Sequence, residues 1–320
     1  MELEFNKKLV KYVLSHIDKK KKPVNFLVKT LNISFESAYR RLRGKIPFTI
    51  QELIILADEL DFSIDKIFYI IKQNKTIFDY AGLEKINSDY FLIKLNEYNE
   101  FMIQLSYAKK IDSIMVLNFF PPPFFAEYKS LNKLLYYKLL YQEKETTKNV
   151  LFSEFVLADE DYVFQEKKQE NIIHGNHITL ILDLNIFYNL IKEVEYFFRL
   201  ELLTKKDLIL LKEDILNLIN QFETISQTGI FNLTKVQLYL SLLSVGANAI
   251  FYNYDDKMKS LFWEFTYHPV VFNNPGFIST HLKWLNSLKR QSELITQSNE
   301  IMQTEFFYQQ RKNVEKYLSV

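Results

Sequence analysis

Apolar positions at the start of the chain recur with helical spacing. Leu9, Val10, Val13, Leu14 and Ile17 predict a helix over 3–17. Pro23 suits the first position of a second helix, over 24–31. Asn32 follows, and asparagine tolerates the left-handed backbone that turns a chain sharply after a helix. Ser34 is placed to cap a third helix, with Glu36 in its first turn, where negative charge suits the helix dipole. Phe35, Ala38 and Leu42 fall at i, i+3 and i+7 and predict its inward face; Gly44 predicts its end. Thr49 and Glu52 have the capping-box spacing and open a fourth helix with the stripe Ile50, Leu53, Ile54, Ala57 and Leu60. Ser63 is placed to cap a fifth, through Ile71. The more polar stretch from Lys72 to Ser88 reads as a boundary.

The remainder is mixed. Segments 89–110 and 124–148 read as helices, separated by Pro121, Pro122 and Pro123, which no helix passes through. Thr204 and Asp207 open an amphipathic helix bearing Leu208, Leu211, Ile215, Leu218, Ile219, Phe222 and Ile225, stopped by Gly229; segment 184–203 is its expected antiparallel partner. The period then changes to two. Val236, Leu238, Leu240 and Leu242 alternate with Gln237, Tyr239 and Ser241, as in a strand. Segment 247–254 and the alternating Leu261, Trp263, Phe265 and Tyr267, joined by Asp255 and Asp256, predict two more strands in a meander. Helices over 281–294 and 300–318 close the chain. No 20–50-residue period repeats, which argues against a helical solenoid. The expected fold is mostly α, α+β overall. A five-helix domain (1–72) and a linker (73–87) precede a helix-rich domain (88–320) that contains a small antiparallel β-meander.

Charge changes the picture at one end only. The 320 residues carry a net +1, yet residues 1–48 hold 12 Lys/Arg against 4 Asp/Glu, a local +8, leaving −7 for the rest. Localised positive charge favours polyanions. Cysteine is absent, which excludes disulfides, thiol nucleophiles and cysteine-ligated metals. Charged residues interrupt the N-terminus from Glu2, so no signal-peptide core is expected there. The longest charge-free run, Val236 to Tyr254, holds Gln237, Ser241, Ser244, Gly246, Asn248 and Asn253, too polar for a membrane span. A cytoplasmic protein with no membrane partner is expected.

Residues Val24 to Gly44, VNFLVKTLNISFESAYRRLRG, resemble a helix-turn-helix of the lambda-repressor-like (Cro/repressor) type. Leu27 and Leu31 match apolar positions of its first helix, Asn32 stands where glycine is usual, Ile33 and Ser34 match the turn and cap, and 50–60 and 63–68 match the two following helices. Val28 replaces a small residue, and Arg41 an apolar one whose packing Leu42 takes over. The resemblance covers about a fifth of the chain. It implies double-stranded DNA as partner, bound by a homodimer, because one short helix reads few base pairs. The whole-chain layout also resembles regulators of Bacteroidetes-type bacteria that join such a head to a long C-terminal region, which implies no ligand. An α-helix fits the major groove. Outward residues Glu36, Ser37, Tyr39, Arg40 and Arg43 are the expected readers. Lys19, Lys20, Lys21, Lys22, Lys29, Arg41 and Lys45, with the Ser34 cap, are the expected backbone contacts. Two helices and some arginines also occur in units that bind no nucleic acid; the conjunction of cap, turn, Gly44, charge and following helices favours DNA.

Catalytic signals are missing. No GxSxG, Walker A or GxGxxG occurs. His174 and His177 in HGNH read as surface histidines in a turn, and Asp159, Glu160 and Asp161 as a solvated acidic turn. Tyr239, Tyr252, Trp263 and Tyr267, like Phe119, Phe120, Phe124 and Phe125, read as core. The expectation is a non-enzymatic transcription regulator without cofactor, whose body dimerises or senses a small-molecule or peptide effector. Ile301, Phe306, Val314, Tyr317 and Leu318 are candidates for dimer contacts or for internal packing. The rivals are a regulator with a peptide-sensing helical-repeat body and an adaptor whose basic head binds an acidic protein.

Overall fold

The computed structural model describes residues 2–18, 21–60, 62, 98, 100–105, 107–125, 127–143, 150–156, 177–231, 234–264, 268–272 and 274–319. The chain divides into two compact units, Met1–Asp79 and Tyr80–Val320, called here the head and the body.

The head contains α1 (Glu2–His16), α2 (Pro23–Leu31), α3 (Phe35–Leu42) and α4 (Ile50–Glu59) among the described residues. The expected fifth helix from Ser63 lies outside them. Local chemistry sets the boundaries. Pro23 opens α2, and Asn32 closes it in the left-handed region at φ 52°. The Ser34 hydroxyl accepts from the Ser37 amide to start α3. Gly44 turns the chain at φ +69°, and the Asn6 side-chain amide donates to its carbonyl at 2.9 Å. Thr49 and Glu52 form both halves of a capping box on α4. Leu9, Val10, Val13, Ile17, Phe26, Leu27, Leu31, Ala38, Phe48, Leu56 and Phe62 make one core.

The body departs from the expected small antiparallel meander. It is built on one eight-stranded mixed sheet in the order β3-β4-β2-β1-β5-β6-β7, with β8 also on β4. The strands are β1 (Ile111–Leu117), β2 (His177–Asp183), β3 (Ile230–Phe231), β4 (Thr234–Ser241), β5 (Ala249–Tyr254), β6 (Lys257–Glu264), β7 (His268–Phe272) and β8 (Ser292–Leu294). β1, β2 and β4 run parallel; β5, β6 and β7 add antiparallel strands beyond β1. The predicted strands at β4, β5 and β6 are present, but β4 and β5 are separated by β2 and β1. The repeat-body rival falls with this sheet.

Residues of each inner strand alternate between two cores. Leu180 and Leu182 of β2, Leu238 and Leu240 of β4 and Tyr252 of β5 face one. Ile181, Tyr239 and Phe251 face the other. The first core is covered by α5 (Lys129–Glu143), α6 (Ile186–Arg199), α7 (Lys205–Thr228) and α9 (Glu300–Tyr317), the second by α8 (Pro275–Arg290). The prolines end in a short 3-10 turn, Pro122–Phe125. Thr204 and Asp207 cap α7, and Gly229 ends it at φ 70°. Helix 281–294 of the expectation is α8 plus β8. Phe306, Val314 and Leu318 are buried within the body, which takes them out of the list of dimer contacts.

The carboxyl ends of the parallel strands are closed by side chains. Asp183 accepts from the Asn185 and Val245 amides. Asn248 accepts from the Asn118 and Phe119 amides and donates to the Phe119 carbonyl. Buried polar groups are tolerated when bonded in this way.

His281 on α8 is the contrast. It is 4% exposed, and neither ring nitrogen has a hydrogen-bond partner among the described residues. Its ring packs 4.5 Å from Phe262 and 5.7 Å from Trp284, centroid to centroid. Burial pushes its pKa down to about 4. The folded body therefore holds the ring neutral, while the unfolded chain takes up a proton below about pH 6.5. Body stability is expected to fall as the pH drops from about 6.5 towards 4, by up to ~1.4 kcal/mol per pH unit from this group. His281→Phe removes that contribution, so denaturant unfolding of variant and parent should diverge between pH 7 and pH 5. Parallel curves would show that the imidazole is reached by solvent.

Candidate nucleic-acid interface

The interface is built around α3, an eight-residue helix too short to be stable alone. Ala38, fully buried, seats it in the head core, where its lack of bulk lets the backbones approach. Arg41 then fixes its rotation. Its guanidinium donates to both carboxylate oxygens of Glu52 on α4, at 3.0 Å from Nε and 2.7 Å from Nη2. The two side chains are 11% and 13% exposed. Arg41 Nη1 also reaches the Ser37 hydroxyl at 3.3 Å. Glu52 in turn accepts from the Thr49 amide at 2.9 Å. Burial raises the Glu52 pKa, but the hydrogen bonds from Arg41 and Thr49 and the Arg41 charge outweigh it and hold the carboxyl below its ordinary value.

The remaining expected residues sit as follows. Ser34, Glu36, Tyr39, Arg40, Arg43 and Lys45 are exposed on or beside α3, and Lys21, Lys22 and Lys29 are exposed around α2. Lys19 and Lys20 lie outside the described residues. The Arg43 guanidinium stacks on Tyr39, 4.5 Å from the ring centroid, and Lys21 lies over Phe26 at 5.5 Å. Several expectations change. Arg41, read as a phosphate contact, is spent on Glu52, and Ser37 is half-buried against it. Phe35, read as facing inward, is 61% exposed. It occupies the first helical position, ahead of the turn that packs. Ile50 and Ile54, expected in the buried stripe of α4, are 75% and 52% exposed, and Leu56 is the fully buried residue there. The Arg41–Glu52 pair joins residues eleven apart, and no local pattern announces it.

Residues 8–78 match the model of the BetR domain family, a helix-turn-helix-like DNA-binding family. The match spans about a fifth of the chain and covers α2, the turn, α3 and α4. No curated protein and no solved structure matches the chain. The head is thus similar to a DNA-binding regulatory module.

The body has its own cavity of about 630 Å³, where the ends of β2 and β4 meet α9. Asn185, Tyr188, Leu240, Glu305 and Gln310 are among its walls, and no lysine, arginine or histidine is. Such a lining disfavours phosphate-bearing ligands. Among the described residues, no cluster of three metal-ligating side chains occurs, and no helix is long and apolar enough to cross a membrane. His177 begins β2; His174 and Asp159–Asp161 lie outside the described residues.

Arg41→Ala is expected to destabilise the head by about 1–3 kcal/mol, because it strips a partly buried carboxylate of its charged donors. Arg40→Ala, at an exposed site, should stay within ~0.5 kcal/mol. Thermal unfolding followed by circular dichroism checks the pair. The loss should shrink in acid, as Glu52 protonates and the parent loses the same interaction.

Proposed function

We propose that the protein is a sequence-specific DNA-binding transcription regulator that acts as a homodimer, with α3 in the major groove. The observation that carries this reading is the sorting of cations on the head. One arginine of α3 is locked to Glu52, while Arg40 and Arg43 on the same helix stand free of ion pairs among the described residues and face solvent. A helix stabilised only for packing has no need of two such unpaired arginines. Arginine bonds guanine edges in a bidentate way, and each such contact discriminates by ~1–3 kcal/mol. Glu36 and Tyr39 share that face. Lys21, Lys22, Lys29 and Lys45 are suited to phosphates, which position without reading sequence. The match of residues 8–78 supports the same reading. The body, free of catalytic motifs, serves dimerisation and effector sensing, and the cavity beside α9 is the place for an uncharged or cationic small molecule.

Salt dependence tests this. Four lysine–phosphate contacts per head give a slope of log K against log salt of about −3.6, and a two-headed complex about −7. Arg40→Ala and Arg43→Ala should narrow the gap between selected and random duplexes. Lys21→Ala should weaken both equally and make the slope shallower by about one unit per bound head. Fluorescence anisotropy at several salt concentrations reads all of these. A basic surface that serves an acidic protein instead would show the salt dependence without any preference among duplexes.

A further inference from the structure

Phe35 is a large apolar side chain that the head leaves exposed, as it does Ile50 and Ile54 of α4. Large aromatic side chains gain most from burial, yet Phe35 is 61% exposed while Ala38, three residues on, is fully buried. It begins a line of exposed residues four apart, Phe35, Tyr39 and Arg43, on one side of α3. Ser34 pins the start of that line by accepting the Ser37 amide at 3.2 Å, and Arg43 stiffens its end by stacking on Tyr39. The surround is cationic: Lys29, Arg40, Arg43 and Lys45 are exposed, against Glu36 alone among the exposed acids of 21–48. An apolar ring set in positive charge matches a duplex better than an apolar protein surface. In the major groove, the C5-methyl of thymine is the apolar group that base edges display. Residues at the amino end of a recognition helix are those brought to base edges.

Resting on the reading of α3 as the groove-binding helix, we propose that Phe35 is a specificity-determining residue that reads thymine, its ring covering the C5-methyl of one thymine in each half-site. The preferred site then carries a thymine methyl opposite the start of α3, next to the bases facing Arg40 and Arg43. The contact is apolar, so it contributes preference without contributing to salt dependence.

The test uses the full-length protein and duplexes selected from a random library. Each thymine is replaced in turn by deoxyuridine, which keeps base pairing and removes only the methyl. At one position per half-site the replacement should weaken binding about fourfold, the ratio expected for burying one methyl-sized group, with an unchanged salt slope. Phe35→Ala should bind the thymine and deoxyuridine duplexes equally, whereas Arg43→Ala should retain the fourfold ratio. The exposure of Phe35 makes the variant's folding a minor concern, and circular dichroism checks it. If no deoxyuridine position matters, or if Phe35→Ala keeps the ratio, the assignment of Phe35 is overturned while DNA binding stands. If no duplex is bound even at low salt, the reading of the head fails first, and the inference with it.

Discussion

The head depends on one ion pair, Arg41 with Glu52. An eight-residue helix has little stability of its own, so its orientation is a tertiary property. At 3.6 residues per turn, each residue is rotated by about 100° from the last. Holding Arg41 against α4 therefore carries Arg40 and Arg43 to other sides of the helix, where they reach solvent. Glu52 serves two masters. One oxygen completes the capping box that starts α4 and also accepts from Arg41 Nε; the other accepts from Nη2. The start of one helix and the rotation of its neighbour are thereby coupled through a single carboxylate. Bidentate geometry matters here, because a fork of two parallel bonds fixes direction as well as distance, which a lysine at position 41 would not do.

Signals that act within a few residues were legible in the sequence. Asn32 adopts the left-handed turn, Ser34 caps α3, Thr49 with Glu52 and Thr204 with Asp207 form their boxes, and Gly229 ends α7. Each depends on one side chain meeting backbone nearby. The missed elements depend on distant partners. β2 and the second half of β1 are buried on both faces, so IMVL and ITLIL read as short, largely apolar runs, without the polar alternation that marks a half-exposed strand. β4 and β6 showed that alternation, and β5 was read from its aromatic and β-favouring residues, but their neighbours in the sheet were not found, since adjacency across β1 and β2 has no local signature. In the interface, exposure of Arg40 and Arg43 followed from helical spacing. Phe35 and Arg41 did not: the first sits before the packed turn, and the second has its partner on another helix.

The body shows how a mostly parallel centre is stabilised. Parallel strands need long connections, and here these supply the covering helices α5, α6 and α7. Where the strands end, backbone groups emerge into partly buried space. Asn118, Asp183 and Asn248 take them up, and the loop after β4 is bound to the ends of β1 and β2 in doing so. Arg311 ties α9 to Glu223 of α7, and Phe306, Phe307 and Val314 bury its inner face. This leaves α9 committed to internal packing along most of its length, with Ile301 and Tyr308 among the large side chains that remain exposed on it.

The distribution of charge argues that the start of the chain and the rest of it are under different demands. Twelve cations against four acids in residues 1–48 repel one another, and the repulsion costs the head stability. Among the described residues, Lys21, Lys22, Lys29, Arg40, Arg43 and Lys45 are exposed and form no ion pair, and pairing them with acids would have reduced that cost. Arg41 is compensated by a partly buried acid, and there compensation sets the geometry of the helix. The rest of the chain, at −7, shows no such excess of cations. A surplus kept at the expense of stability, beside a clamp that spends one arginine on orientation, is the arrangement expected when the free cations serve a ligand. The screening length at physiological salt is only about 8 Å, so the benefit of such charge is confined to surfaces in close contact with an oppositely charged ligand. That confinement ties the function of the surplus to the orientation of α3, and through it to Arg41 and Glu52.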